Sequence, residues 1–431
     1  MIESITSNNA LIIPDYLVET SQWECEDKPN YKIYRSGSHL KSNFIQLYVP
    51  NNPYYDEQGK TKAVIYMHGF ALCMPKFYEQ HLQELVKKGY YVFFPDFQKS
   101  NYPNDVKTDE TLSEKEDLVD LSEVIKFIEE TYKLISKGRV KSVLRKITVA
   151  AINIRFFLAL SLIIGLIATI YYFVDRKYGK HLIKLIRTVR FSLFDSPLQW
   201  IGNAVQSTEE ACQMLHHKDS NFKIEETDFY LFGHSLGGLL SLSWISYLNN
   251  QSKDKSKFYP KQIVVADPAP STSLGIPKTV MFVLQLFKSK FTTGAVDIKR
   301  TGYCINVPVA ILHGDDDKLV KPKVWYKPSL FNKKSNFDYI ESEEKKIYFS
   351  LSDKANGLFA VHNQAVTDTT YFSDNLFRKF GGSKHQADAY NYEYIWPALD
   401  LVIEKQFKAS ELLDKFPLEK IKVVDKLPVR R

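Results

Sequence analysis

The segment 233–238, with the sequence GHSLGG, places a single serine between glycines in the pattern G-x-S-x-G. Aromatic and aliphatic residues typical of a strand precede it at 229–232, and residues typical of a helix follow it at 239–242. A sharp strand-to-helix turn exposes the serine hydroxyl, and the glycines leave room for the backbone to come close. The start of the helix directs backbone N–H groups toward the same point. We therefore predict that Ser235 is a nucleophile.

A serine becomes a nucleophile when a neighbouring base takes its proton, and the base needs an acid that orients it. With this type of turn, the acid and then the histidine follow the serine along the chain, on loops after strands. Asp317 lies one short loop past the apolar run 307–312, within HGDDDKLV, and is the preferred acid. Asp267 ends the preceding strand, within VVADPAP, and is the alternative acid.

The predicted base is His362, within LFAVHNQAV, because it follows the last predicted strand by one loop. A loop in that position allows an imidazole to reach the serine hydroxyl. His385 lies later in a polar stretch, and His234 is part of the serine segment itself. A single histidine among the ten is more often structural than catalytic, so its position along the chain decides between them.

The oxyanion that forms when a carbonyl is attacked needs two backbone N–H donors. One donor belongs to the residue after the nucleophile, Leu236. The other is expected from the loop after the strand 63–68, where Gly69 lets the backbone turn its amides inward. Phe70 is the predicted second donor, and Ala71 is the alternative.

Short apolar runs that alternate with helical spacing predict the elements that carry these residues. Strand–helix–strand alternation is typical of parallel βαβ units, so we predict an α/β fold with a mostly parallel sheet flanked by helices. Residues 31–50 are predicted to form an N-terminal hairpin. The other predicted strands are 63–68, 90–95, 229–232, 261–266, 307–312 and 346–351, and the predicted helices are 75–88, 110–137, 198–217, 279–287 and 390–407.

One run of residues does not fit such a core. Residues 156–174 carry no charge over nineteen positions and have aromatic residues at both ends. As a helix this run would extend ~28 Å, close to the ~30 Å hydrocarbon core of a bilayer. Basic residues flank it on both sides: residues 131–194 contain thirteen Lys and Arg and one acid, Asp175. We expect contact with an anionic membrane, with a buried core helix or lid as the alternative.

A single membrane crossing would place the strands 63–68 and 90–95 on the opposite side from strand 229–232, although all three are expected in one sheet. We therefore predict that residues 138–197 form an inserted hydrophobic helical membrane segment that enters and leaves on one face. Residues 182–194 have basic side chains on one helical face and apolar ones opposite, which is typical of an interfacial helix. The rest of the chain is then expected on the cytoplasmic side.

The overall composition narrows the class of protein further. With 431 residues, of which 44% are hydrophobic and 14% aromatic, the chain can bury a sizeable core, which argues against disorder. Its four cysteines are far apart and form neither a disulfide framework nor a zinc motif, as expected for a reducing compartment. The N-terminus lacks the features of a signal peptide. The net charge of +7 is concentrated beside the apolar run, so no nucleic-acid partner is expected.

The stretch VIYMHGFALCMPKFYEQHLQELVKKGYYVFFPDF, together with GHSLGG, resembles the α/β-hydrolase superfamily. The resemblance covers roughly residues 30–137 and 198–408. Within the superfamily, the chain looks similar to the chlorophyllase-like and polyester-hydrolase-like bacterial branch, in which HGF, a tyrosine, a helix and a G-Y-x-V-x-x-P strand follow one another. The insert 138–197 departs from that family pattern.

The resemblance implies a serine carboxylic-ester hydrolase with Ser235, His362 and an acid as its triad. In chlorophyllase-like members the acid can follow the earlier strand in a D-P motif, which here matches Asp267. The resemblance implies neither a metal nor an organic cofactor.

We therefore expect a membrane-associated serine hydrolase that cleaves carboxylic esters, with a lipid-like ester as substrate. Thioesterase, peptidase or acyltransferase activity would use the same residues. The alternative is a non-catalytic α/β-hydrolase fold that acts as a membrane scaffold or ligand-binding module. The predicted domains are a core in two parts, 1–137 and 198–431, and the membrane-docking insert 138–197.

Overall fold

The computed structural model of the chain describes residues 23–104, 184–185, 192, 195–251, 255–274, 290–328, 333–372 and 374–427. Within these ranges no helix has the length together with the apolar character of a membrane span. The predicted helices 110–137 and 279–287 and the apolar run 156–174 lie outside the described residues. So does most of the predicted insert, of which the structure describes 184–185, 192 and 195–197.

Among the described residues, ten strands form one sheet. They are β1 (Glu24–Asp27), β2 (Tyr31–Ser36), β3 (Ile45–Pro50), β4 (Thr61–Met67), β5 (Tyr91–Pro95), β6 (Thr227–His234), β7 (Pro260–Ala266), β8 (Val309–Gly314), β9 (Lys345–Leu351) and β10 (Lys422–Val424). Their order across the sheet is β1-β2-β3-β5-β4-β6-β7-β8-β9-β10. The strands from β5 to β9 in this order are parallel, and β1, β2, β3 and β10 pair antiparallel at the edges.

Eight α-helices connect or flank these strands within the described residues. They are α1 (Glu79–Lys87), α2 (Pro197–Lys218), α3 (Leu236–Asn249), α4 (Lys290–Thr293), α5 (Ile298–Thr301), α6 (Lys323–Tyr326), α7 (Asp374–Lys379) and α8 (Trp396–Ile403). A π-helical turn, Asn391–Ile395, leads into α8. Short 3-10 helices lie at His39–Lys41, Pro75–Tyr78, Ile224–Glu226, Ser256–Phe258, Gly302–Cys304, Phe337–Tyr339, Lys354–Asn356, His362–Ala365, Ala409–Glu411 and Leu413–Lys415.

Helices cover both faces of the sheet, which is why its central strands are apolar on both sides. Along β4, Val64 and Tyr66 point to the face that α1 and α8 cover. The alternate residues Ala63, Ile65 and Met67 point to the face that α2 and α3 cover. Because parallel strands end at one edge of the sheet, the loops after β4, β6, β7, β8 and β9 lie close to one another.

The sequence predicted the central strands well. The N-terminal hairpin forms from the antiparallel pair β2 and β3, and each other predicted strand begins and ends within two residues of its predicted bounds. The edge strands β1 and β10 were not predicted. Strand β1 has the sequence ECED without an apolar run, and β10 has three residues, so neither carries the hydrophobic pattern of a buried strand.

Two predicted helices are interrupted in the structure. The helix predicted for 75–88 is a 3-10 turn, Pro75–Tyr78, followed by α1. The helix predicted for 390–407 is the π-helical turn followed by α8, which ends at Ile403. The helix predicted for 198–217 is confirmed as α2.

The pairing of β4 with β6 joins residues from both sides of the predicted insert in one sheet. This pairing is the condition from which we inferred that the insert enters and leaves a membrane on one face. The division into a core of 1–137 and 198–431 with an insert at 138–197 stays a prediction.

Candidate active site

The predicted nucleophile lies on a strained turn between β6 and α3. Ser235 has φ 53° and ψ −114°, a backbone conformation that residues other than glycine rarely adopt. Its N–H donates to the carbonyl of Ala266 at 2.9 Å, which fixes the turn against the end of β7. A Cβ atom at Gly233 would lie 2.4 Å from the carbonyl oxygen of Gly237. The turn therefore requires glycine at that position, as the sequence pattern indicates.

His362 lies between Ser235 and Asp317 and contacts both. Its Nε2 lies 2.7 Å from Ser235 Oγ, and its Nδ1 lies 2.7 Å from Asp317 Oδ2. A carboxylate accepts, so the proton of the neutral ring is on Nδ1, and Nε2 accepts from the serine hydroxyl. The three side chains that the sequence predicts as nucleophile, base and acid thus form one hydrogen-bonded row.

Asp317 is held from both sides of its carboxyl group. Its second oxygen, Oδ1, accepts hydrogen bonds from the N–H groups of Leu319 at 2.8 Å and Val320 at 2.9 Å. Both Asp317 and His362 are almost fully buried, with 3% and 4% of their surface exposed. The acid therefore has little freedom to leave the imidazole.

The pKa values of this pair favour opposite charges. Burial acts to lower the pKa of His362, but the charge and hydrogen bond of Asp317 together outweigh it and raise that pKa. Burial acts to raise the pKa of Asp317, but the charge and hydrogen bond of His362 help to hold it below its ordinary value. Asp317 is therefore ionised when the imidazole gains a proton, as an orienting acid must be.

Asp267, the alternative acid, does not contact His362. Its Oδ1 accepts from the N–H of Gly314 and its Oδ2 from Nε2 of Gln364, both at 2.8 Å. Both ring nitrogens of His362 are already engaged by Asp317 and Ser235. Burial, followed by the charge of Asp317, raises the pKa of Asp267 well above its ordinary value. The hydrogen bonds of the imidazole therefore favour Asp317 as the acid.

The other two candidate bases are engaged elsewhere. His385 is exposed and pairs with Asp374 at 3.0 Å. His234 is fully buried, and its ring nitrogens contact the hydroxyl of Tyr78 and the backbone carbonyl of His362, each at 2.9 Å. Neither ring has a nitrogen in contact with Ser235 Oγ.

The two predicted oxyanion donors lie where the loop after β4 meets the start of α3. A Cβ atom at Gly237 would lie 2.2 Å from the carbonyl oxygen of Met67, so the two backbones touch there. The N–H of Leu236 belongs to the first turn of α3, where N–H groups have no acceptor within the helix. No acceptor for the Phe70 N–H is found among the described residues. The alternative donor, Ala71, gives its N–H to Oε1 of Gln98 at 3.0 Å.

Two groups of three buried side chains have possible metal-ligating atoms within 4.8 Å of one another: His68, Cys73 and Asp96, and Asp267, His313 and Asp317. In both groups the carboxylates are engaged by hydrogen bonds and histidines of the protein. We assign no metal to either group, and the expected lack of a cofactor stays a prediction.

The order of the strands, the serine turn after β6 and the chain order of serine, acid and histidine define the α/β-hydrolase fold. The fold that the sequence predicts, a mostly parallel sheet flanked by helices, is confirmed. The narrower resemblance to the chlorophyllase-like and polyester-hydrolase-like branch stays a prediction.

No protein-family model matches the chain, and no curated protein matches it. Among solved structures, it is similar to a cold-adapted esterase from an Arctic intertidal metagenomic library, with 12% identity, a TM-score of 0.33 and coverage of 78% of this chain and 90% of that chain. It is also similar to a soluble variant of monoglyceride lipase from Saccharomyces cerevisiae, with 12% identity, a TM-score of 0.36 and coverage of 85% and 94%. Similarity at these values is too weak to add to the geometry described above.

Proposed function

We propose that the protein is a serine hydrolase that cleaves carboxylic esters through an acyl-enzyme on Ser235. The observation that carries this proposal is the hydrogen-bonded row of Ser235, His362 and Asp317. A serine hydroxyl bonded to a neutral imidazole, itself oriented by a buried carboxylate, is the arrangement that activates serine for attack on a carbonyl.

The reaction follows from this arrangement. Nε2 of His362 takes the hydroxyl proton as Ser235 Oγ bonds to the ester carbonyl carbon, and the oxyanion faces the N–H groups of Phe70 and Leu236. The tetrahedral adduct then expels the alcohol, which receives the proton from His362 and leaves the acyl group on Ser235. Water then attacks this acyl-enzyme as His362 takes its proton, the bond to Ser235 Oγ breaks with return of that proton to Oγ, and the carboxylic acid is released.

Exposed apolar side chains on the loops of the site support a lipid-like substrate. Phe70, beside the predicted oxyanion donor, is 39% exposed, and Leu319, next to the acid, is 41% exposed. Leu274 follows β7 with 37% of its surface exposed, and Phe359 precedes the base loop with 47% exposed. Apolar groups on several loops around one site favour a substrate with an apolar acyl or alcohol part.

Membrane association is the second part of the proposal. It rests on the uncharged run 156–174 and its basic flanks. Two described residues of the insert contact loops beyond the carboxyl ends of the strands. Lys184 Nζ donates to the carbonyl of Tyr371 at 3.3 Å, and Ser192 Oγ donates to that of Lys99 at 2.9 Å. These contacts place the two residues of the insert beside loops of the hydrolase core, and we propose that the insert docks this core on the cytoplasmic face of a membrane.

Hydrolysis of small esters tests the first part. The purified protein is expected to release p-nitrophenol from short-chain p-nitrophenyl esters with saturable kinetics. A protein that is folded, as judged by circular dichroism, and that shows no release above the uncatalysed rate would contradict the hydrolase proposal.

Removal of the insert tests the second part. A variant that joins Lys137 to Pro197 through a short Gly/Ser linker is expected to remain in solution without detergent. It should keep its activity on small esters and lose it on esters embedded in anionic vesicles, because the lipid contact is gone while the row of side chains stays. Vesicle flotation and turnover of the two substrates are the measurements.

Two results would contradict this placement. Equal activity of the wild type and the linker variant on vesicle-embedded esters would exclude a role of the insert in reaching the membrane. Cys25 is exposed in the N-terminal part, and Cys304 is partly exposed in the C-terminal part. Labelling of these two cysteines from opposite sides of a sealed vesicle would exclude a common face.

A wild-type protein that is soluble and monomeric without detergent would instead favour the alternative that the run 156–174 is a buried lid.

A further inference from the structure

The backbone N–H of Gly69, one residue before the predicted oxyanion donor, begins a chain of hydrogen bonds. It donates to the hydroxyl of Tyr78 at 2.9 Å, and this hydroxyl lies 2.9 Å from Nδ1 of His234. Nε2 of His234 lies 2.9 Å from the backbone carbonyl of His362. Because a carbonyl only accepts, Nε2 carries the proton, and Nδ1 of the neutral ring accepts from Tyr78.

Because His234 is neutral, each donor and acceptor in this chain of hydrogen bonds keeps its role. Burial, followed by the charge of His362, lowers the pKa of His234 to about 3. The ring is therefore neutral at every pH at which the catalytic imidazole can act as a base. The chain ties the loop that holds the oxyanion donor to the loop that holds the base.

The carbonyl of Gly69 is held from the opposite side. Nδ1 of His68 donates to it at 2.8 Å, and the backbone N–H of Leu72 donates to it at 3.0 Å. Nε2 of His68 faces Oδ1 of Asp96 at 3.1 Å, and Nδ1 of His39 lies 2.5 Å from Oδ2 of the same carboxyl group. At most 1% of any of these three side chains is exposed. Close packing and the carboxylate of Asp96, which lies between the His39 and His68 rings, leave the His68 ring little freedom to rotate.

A peptide group is planar and trans, so its C=O and N–H point in opposite directions. The Gly69 carbonyl points inward to His68, and the N–H of Phe70, in the same peptide group, therefore points away from His68. This N–H has no acceptor among the described residues.

We propose that His68 and Tyr78 are positioning residues that clamp both sides of Gly69 and thereby hold the Phe70 N–H toward the oxyanion. A Cβ atom at Gly69 would lie 2.9 Å from Nδ1 of His234, so a larger residue would disturb the same chain. The inference rests on the proposed function, because it assigns these residues to the oxyanion site of that reaction.

A second His-Gly pair in the chain shows what is particular to this one. Nδ1 of His313 lies 3.2 Å from the carbonyl of Gly314, and the Gly314 N–H donates to Asp267 at 2.8 Å. The carbonyl and N–H of Gly314 thus both have contacts at the end of β8, although Nδ1 of His313 also lies 3.2 Å from Oδ1 of Asp267. There, however, the N–H of the next residue, Asp315, donates to the carbonyl of Ser350 at 3.0 Å. Among the described residues, the corresponding N–H after β4, that of Phe70, has no acceptor.

A matched pair of tyrosine variants tests the inference. Tyr66 and Tyr78 are both fully buried, their rings are 5.3 Å apart, and each hydroxyl contacts Nδ1 of a buried histidine. Of the two hydroxyls, that of Tyr78 accepts the Gly69 N–H. Both variants remove a buried tyrosine–histidine hydrogen bond, and Tyr78→Phe also removes the acceptor of the Gly69 N–H.

We expect Tyr78→Phe to lower kcat for a short ester by about 10- to 100-fold, because small misplacements of a catalytic group have effects of that size. KM should stay within about twofold, since the oxyanion forms only after substrate binding. The inhibition constant of a trifluoromethyl ketone, which forms a tetrahedral adduct on the serine, should rise by the same factor as kcat falls. Tyr66→Phe should change neither value, although the loss of its buried hydrogen bond lowers the melting temperature.

Equal kcat and equal inhibition constants in the two tyrosine variants would overturn the inference. Should Tyr78→Phe fail to fold, His68 provides the second comparison. His68→Asn keeps a side-chain N–H for the Gly69 carbonyl and should retain more kcat than His68→Ala, and the reverse order would also overturn the inference. A wild-type protein that neither turns over esters nor binds the ketone would instead contradict the proposed function, and the inference with it.

Discussion

Replacing Ser235 by alanine is expected to reduce the turnover of short p-nitrophenyl esters by about 10⁶-fold. The hydroxyl is the atom that bonds to the carbonyl carbon, and the alanine methyl group cannot replace it. The fold should persist, because alanine occupies the same space at the turn between β6 and α3. Turnover and a thermal melt of the same preparation are the measurements, and unchanged turnover would contradict the enzyme assignment.

Replacing the base, His362, by alanine should reduce turnover by a similar factor. His362→Ala removes the group whose Nε2 lies 2.7 Å from Ser235 Oγ, so among the described residues no side chain remains in place to take the hydroxyl proton. His385→Ala is the control, because that ring is exposed and pairs with Asp374. Activity retained in His362→Ala and lost in His385→Ala would move the base to His385.

Asp317→Asn is expected to lower turnover by about 10⁴-fold, because the amide no longer fixes the correct tautomer of the imidazole or stabilises its positive charge. Asp267→Asn is the matched control. Its carboxyl group accepts hydrogen bonds from Gly314 and Gln364 and makes none with His362, so a much smaller loss of turnover is expected. A large loss in Asp267→Asn with little loss in Asp317→Asn would reverse the assignment of the acid.

The pH dependence of the reaction should show the effect of Asp317 on the base as well. A general base acts when it is neutral, so activity falls as the pH drops through the pKa of His362. Asp317 raises that pKa, and the acidic limb of kcat/KM should therefore lie above the ordinary pKa of histidine. In Asp317→Asn the charge that raises the pKa is gone, so the limb of the residual activity should move to lower pH.

The positions of Ser235, Asp317 and His362 could be predicted because each carries a local signal. Each residue follows an apolar run that predicts a strand, by a turn or a loop, and these strands are parallel neighbours or nearly so. The carboxyl ends of parallel strands meet at one edge, which brings together residues more than a hundred positions apart.

The sequence favoured Asp317 but left Asp267 as an alternative acid, because both follow neighbouring strands at the same edge. What separates them is the direction of the side chain. Asp267 has a positive φ of 45°, and its carboxyl group bonds to Gly314 and Gln364. Backbone conformation of this kind depends on tertiary contacts that no local pattern encodes.

The clamp around Gly69 also could not be predicted from the sequence. Tyr78 and His234 are 156 positions apart, and neither residue type signals a role in holding a backbone N–H. The sequence does contain one partial signal, since the pair His-Gly follows an apolar strand both at His68 and at His313. Only the structure shows that the next N–H is bonded in one loop and free of an acceptor, among the described residues, in the other.

The central claim is that Ser235 is a nucleophile activated by its neighbours, and covalent labelling tests it most directly. A fluorophosphonate probe reacts with an activated serine and forms a stable phosphonyl adduct on its oxygen. Incubation of the intact protein, followed by peptide mass spectrometry, is expected to find this adduct on Ser235, with labelling abolished in Ser235→Ala and strongly slowed in His362→Ala. An unlabelled folded wild-type protein, or equal labelling of the wild type and Ser235→Ala, would contradict the account.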